Sequence, residues 1–85
     1  MPTLLTIFGL RFFFYSLEHE PVHIHVENGD GQAKFEIKDG VVTLKVNDGL
    51  MPKDLKLAES IVEENKTIFE YEWVKYFGTK KNWHK

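Results

Sequence analysis

The chain has 85 residues, room for one domain built round one core. Hydrophobic residues make up 42% and charged residues 28%, the balance of a folded globule rather than a disordered chain. Eleven Lys and Arg against thirteen Asp and Glu leave a net charge of -2, which excludes a globally basic nucleic-acid binder but not a local basic patch. Cysteine is absent, and with it disulfide scaffolds, Cys-ligated zinc and thiol catalysis.

The most apolar stretch runs from Leu4 to Leu17, broken by Gly9 and Arg11. It falls short of the about 20 unbroken apolar residues of a membrane helix. A secretory signal would want a basic start and small residues at its end; Met1-Pro2-Thr3 and the Phe-rich segment supply neither. A soluble, cytoplasmic protein without membrane association is expected.

In chain order, residues 3–8 read as a β-strand, Gly9-Leu10 as a tight turn and residues 11–16 as a second strand. Residues 17–21 form a loop, since Pro21 cannot donate to a ladder and disfavours helix before it. Residues 22–27 alternate, and Asn28-Gly29-Asp30-Gly31 is a dense hairpin signal. Residues 32–38 alternate again, Asp39-Gly40 suits a two-residue turn, and residues 41–47 complete a meander.

An Asp39-Gly40 turn sets Lys38 opposite Val41, Ile37 opposite Val42, Phe35 opposite Leu44 and Ala33 opposite Val46. The hairpin before it closes at Gly29-Asp30 or at Asp30-Gly31. Both choices put Ile24 and Val26 on the face of Phe35 and Ile37. The other face then carries His23, His25, Glu27, Lys34, Glu36, Lys38, Thr43 and Lys45. One face is dry and the other charged.

Past Asp48-Gly49 the period becomes 3.6. Pro52 suits a first helical position, and Asp54 favours the positive helix end. Leu55, Ala58, Val62, Phe69, Trp73 and Tyr76 form one stripe, with Leu57, Ile61 and Ile68 on its shoulder. A helix over residues 53–77 would be about 37 Å long. It would lie across the dry face and stop at Gly78. Thr67 with Glu70 resembles a capping box, which leaves room for a bend near Asn65. The fold class is α+β: an antiparallel sheet of about five short strands with one long C-terminal helix. Residues 1–78 form the domain, and residues 79–85, with Lys80, Lys81, Trp83, His84 and Lys85, a basic aromatic tail.

The chemistry concentrates in His19-Glu20-Pro21-Val22-His23-Ile24-His25-Val26-Glu27. On a strand, His23 and His25 point the same way with α-carbons roughly 6.5–7 Å apart. Two imidazoles at that spacing can hold a divalent metal such as zinc, with His19 or Glu27 as a further ligand. The plainer reading is solvent-facing polarity, with Glu36 as a cross-strand partner. The same residues permit acid–base work. One imidazole can take a 2′-hydroxyl proton from RNA and the other protonate the leaving oxygen, while Arg11 or a lysine such as Lys34 holds the phosphate. Glu27 and Glu36 on that face oppose a polyanion. Phe12 and Phe14 join the core while Phe13 and Tyr15 lie beside the histidines, or the reverse. Exposed aromatics there would stack on bases or, the better expectation, be covered by a second copy or a partner protein.

Residues across nearly the whole chain carry a resemblance. They are Met1-Pro2-Thr3, Arg11-Phe12-Phe13-Phe14-Tyr15-Ser16, His19 with Pro21, and His23-Ile24-His25-Val26. Further along come Ala33-Lys34-Phe35, Glu63-Glu64-Asn65, and Trp73 with Tyr76-Phe77-Gly78. The chain resembles the bacterial family catalogued as domain of unknown function 4160. Its histidine segment usually reads His, any residue, Pro-Pro, His, any residue, His. Val22 stands here in place of the second proline, and all three histidines match. Members are commonly encoded beside another small family of unknown function, number 2442, and the pair is thought to act as a type II toxin–antitoxin module. The resemblance implies the toxin-like half, neutralised by a cognate antitoxin-like protein encoded nearby. It carries over no established catalytic residue, so His23, His25 and Arg11 stand as catalytic candidates, and His19, Phe13, Tyr15 and Lys34 as binding candidates, on chemistry alone. A non-enzymatic interaction module and a small metal-binding protein are the competing classes.

Overall fold

Tight turns set the sheet, and the helix then closes one side of it. The computed structural model describes residues 3–14 and 22–77. Its elements are β1 (Thr3–Ile7), β2 (Leu10–Phe13), β3 (Val22–Glu27), β4 (Gln32–Lys38), β5 (Val41–Asp48) and α1 (Pro52–Phe77). The strands form one antiparallel sheet in the order β1-β2-β3-β4-β5, the α+β meander that the alternation implies.

At the β4–β5 corner Asp39 and Gly40 have φ of 54° and 77°, and Lys38 faces Val41 as expected. The β1–β2 corner differs. Its turn residues are Phe8 and Gly9, with φ of 54° and 78°, and Ile7 faces Leu10. Leu10, expected in the turn, instead opens β2 and is fully buried. Magnitudes explain the shift. A left-handed non-glycine residue costs about 1–2 kcal/mol, whereas burying a leucine contributes about 1.5–3 kcal/mol. The Phe8 side chain is 71% exposed and recovers little of the cost by packing. Phe8→Asn is therefore expected to stabilise the fold by about 0.5–1 kcal/mol, read as a higher urea midpoint at unchanged slope.

The β3–β4 hairpin closes at Gly29-Asp30, with Glu27 opposite Gln32. The Asn28 side-chain oxygen accepts from the amides of Asp30 at 2.8 Å and Gly31 at 3.1 Å, and the Asn28 amide donates to the Gly31 carbonyl at 3.0 Å. This loop packs on the β5–α1 connection. A Cβ at Gly31 would run into the backbone carbonyl of Asp48, and one at Gly49, whose φ is 99°, would sit 2.8 Å from the Asp30 carbonyl. Asn28 Nδ2 donates to Asp54 Oδ2 at 3.2 Å, fastening the loop to the first turn of α1.

The β5 register departs from strict alternation. Phe35 faces Leu44 but Lys34 faces Val46, so Lys45 is an extra, bulged residue. Ala33 consequently faces Asn47 rather than Val46, and Val46 turns to the side away from the helix, 47% exposed. The bulge has a local reason. Asn47 now lies on the helix side, where its Oδ1 accepts from the Leu50 amide at 3.1 Å and its Nδ2 donates to the Leu50 carbonyl at 3.3 Å. That turn drops Leu50 into the core.

α1 lays Ala58, Ile61, Val62, Phe69 and Trp73 against Leu10, Phe12, Phe14, Ile24, Val26, Phe35 and Ile37. Phe12 meets Phe69 at 6.1 Å between centroids, and Phe14 meets Trp73 edge-on at 5.2 Å. The helix runs uninterrupted past Asn65, whose Nδ2 donates to the Ile61 carbonyl at 2.8 Å, and Thr67 is an exposed mid-helix residue rather than a cap. Lys66 Nζ donates to the Gly40 carbonyl at 2.7 Å and ties mid-helix to the β4–β5 turn. Ile68, expected on the buried shoulder, is 56% exposed. The sheet ends at β1, leaving a gap of about 230 Å³ between that edge and the helix, lined by Thr3, Leu4, Ile68, Phe69 and Glu72. The expected strand continuation over residues 15–16, the loop before Val22, the Gly78 stop and the basic tail lie outside the described residues. Among those described, no helix is long and apolar enough to cross a membrane.

Candidate functional site

Register builds the site on the sheet face opposite α1. Phe13 faces His25, His25 faces Lys34, and Lys34 faces Val46, one straight row across four strands. Beside it Arg11 faces Glu27 and Glu27 faces Gln32. On the other flank His23 faces Glu36, which faces Thr43. His23 and His25 thus share a face, as the i, i+2 spacing requires. The open question over the aromatics is resolved for the three described: Phe12 and Phe14 are in the core and Phe13 lies beside His25.

Exposure departs from the expectation. His25 is 6% exposed and Phe13 2%. Their rings stack at 5.5 Å between centroids with 25° between planes, so Phe13 covers one face of the imidazole. The Arg11 guanidinium carbon lies 4.2 Å from the Phe13 centroid, continuing the stack as guanidinium, phenyl, imidazole. Arg11 Nε is 3.5 Å from Glu27 Oε2. Arg11 Nη1 is buried and has no hydrogen-bond partner among the described residues. His23 is half-buried, and the bulged Lys45 still reaches Glu36, at 4.0 Å. The charges therefore alternate in sign over the surface, and most are answered by a neighbour.

The structure brings Arg11, Phe13, His25, Glu27 and Lys34 together and sets His23 one row away. Tyr15 and His19 lie outside the described residues. Among those described, no three His, Asp or Glu side chains gather closely enough to hold a metal ion, and Glu27 is engaged with Arg11. Three residues escaped the sequence reading as part of the site: Gln32, Val46 and Asp48. The Lys45 bulge opens a cavity of about 190 Å³ lined by His25, Gln32, Ala33, Lys34, Val46 and Asp48. Val42, Leu44 and Val46 alternate so regularly that sequence carries no sign of the bulge, and so none of Val46 and Asp48 as neighbours of Lys34.

A five-stranded meander with one long helix on its dry face and a His-x-His strand presented on the other defines a small α+β domain. The chain belongs to the family described as Domain of unknown function (DUF4160), whose model matches residues 9–74. That span starts at the β1–β2 turn and takes in all the site rows and most of α1. No curated protein and no solved structure matches the chain.

Proposed function

We propose that this protein is the toxin-like member of a bacterial type II toxin–antitoxin pair, acting in the cytoplasm on RNA through the sheet face opposite α1. One observation carries the reading: the Arg11–Phe13–His25 stack, with Lys34 directly across from His25. A guanidinium seated on an aromatic ring, steadied by Glu27 and still about one-third exposed, is pre-organised for phosphate. Lys34 adds a second cation, one strand spacing from His25 and two strands from Arg11. His23, the less buried imidazole, is the candidate proton carrier, and His25, locked under Phe13, positions the stack.

Inducible expression tests this. Growth arrest is expected, relieved by co-expression of the protein encoded next door, and abolished by Arg11→Ala and by His23→Ala while folded protein still accumulates. Absence of arrest counts against the toxin reading. Arrest that survives both substitutions points to the second reading, a non-enzymatic interaction module. The observation favouring that one is on α1, where Ile68, Tyr71 and Val74, spaced three residues apart, are 56%, 64% and 41% exposed.

A further inference from the structure

Charges on the outer sheet face mostly answer one another: Arg11 with Glu27, Lys45 with Glu36. The groups in the cavity beside the bulge are not answered in this way. Gln32, Lys34 and Asp48 line it, and none of the three makes a side-chain hydrogen bond or ion pair among the described residues. Val46, rotated outward by the bulge, forms an apolar wall, and the His25 imidazole closes the β3 side. A bulge that re-aims one side chain beside a row of functional groups is a common device at sites.

The set of groups selects a ligand. A carboxylate accepts two adjacent N–H groups, and an ammonium donates to an acceptor next to them. Among RNA bases only guanine presents that order on its pairing edge, with two neighbouring N–H donors and then the O6 acceptor; adenine, cytosine and uracil have no adjacent donor pair. Val46 offers apolar contact to the flat ring. We infer that the cavity is a guanine pocket for single-stranded RNA, in which Asp48 accepts from N1 and N2, Lys34 donates to O6 and Gln32 adds a flanking amide. This rests on the RNA reading above and names the base that the face selects.

Binding of short labelled oligouridine, with and without a single internal guanosine, tests the pocket by fluorescence anisotropy. One good two-donor contact is worth about 1–3 kcal/mol of discrimination, so the guanosine-bearing strand is expected to bind about 5- to 150-fold tighter. Asp48→Asn, at an exposed position with no side-chain bond to lose, is expected to bring that strand down to the affinity of plain oligouridine. Circular dichroism checks that the variant is folded. In labelled protein, guanosine monophosphate is expected to shift the amide signals of Gln32, Lys34, Val46 and Asp48 more than adenosine monophosphate does. Equal binding of the two strands, or a preference that survives Asp48→Asn, overturns the pocket and leaves RNA binding standing. Failure of both strands to bind overturns the pocket and the RNA reading together.

Discussion

Trp73→Ala is expected to lower the unfolding free energy by about 3–5 kcal/mol, the largest loss from any single side chain here. Trp73 is 1% exposed and stands edge-on to Phe14 at 82° and 5.2 Å. Truncation removes the aromatic contact and leaves a void where the last turns of α1 meet Phe14, just past β2. Stability of roughly 0.05–0.15 kcal/mol per residue gives a domain of this length about 4–13 kcal/mol in all. The variant is therefore expected to lose roughly a quarter or more of that total, read as a large drop in its urea midpoint. It reaches the border of unfolding if the parent lies at the low end of the range. Tyr71→Ala, two residues away but 64% exposed, is the comparison and is expected to stay within about 0.5 kcal/mol. Similar losses for the two would mean that the helix is not seated on its Phe69–Trp73 side.

Gly31→Ala is expected to cost about 2–3 kcal/mol, at the upper end for overpacking. The added methyl would meet the backbone carbonyl of Asp48 and the backbone of Gly49, which cannot swing aside as a flexible side chain can. Gly29→Ala, two positions back in the same loop, places its methyl in open space and is expected to be nearly neutral. The pair separates steric contact from loop entropy, because both replace a hairpin glycine. Equal midpoints in urea would show that the β3–β4 loop and the β5–α1 connection are not in contact.

Local patterns carried most of the architecture. Asp39-Gly40 fixed one corner through the two positive φ values its turn needs, and the alternation of Ile24, Val26, Phe35 and Ile37 defined the dry face. The 3.6 period placed Val62, Phe69 and Trp73 against it. What escaped depends on distant partners. Gly9 signals a turn but not which neighbour shares it; that was decided by burial of Leu10 in a core made largely of other strands. The Lys45 bulge answers to Asn47 and Leu50, which are linked by side-chain hydrogen bonds that alternation does not encode. At the site, spacing put His23 and His25 on one face, as found. Only the β2–β3 register reveals that Phe13 lies on His25 and changes an imidazole expected in water into one shielded by a ring.

The order of elements along the chain has a consequence for biogenesis. Five strands, each beside its predecessor, can zip up as they leave the ribosome, since every pairing is between neighbours in sequence. Their cover is α1, which follows all of them. For the interval in which β5 has emerged and Trp73 has not, a nascent sheet displays Phe12, Phe14, Phe35 and Ile37 bare to solvent or a chaperone. Premature termination or slow translation within the helix would strand the molecule in that sticky form, so yield during production is expected to depend on how promptly the codons of α1 are read.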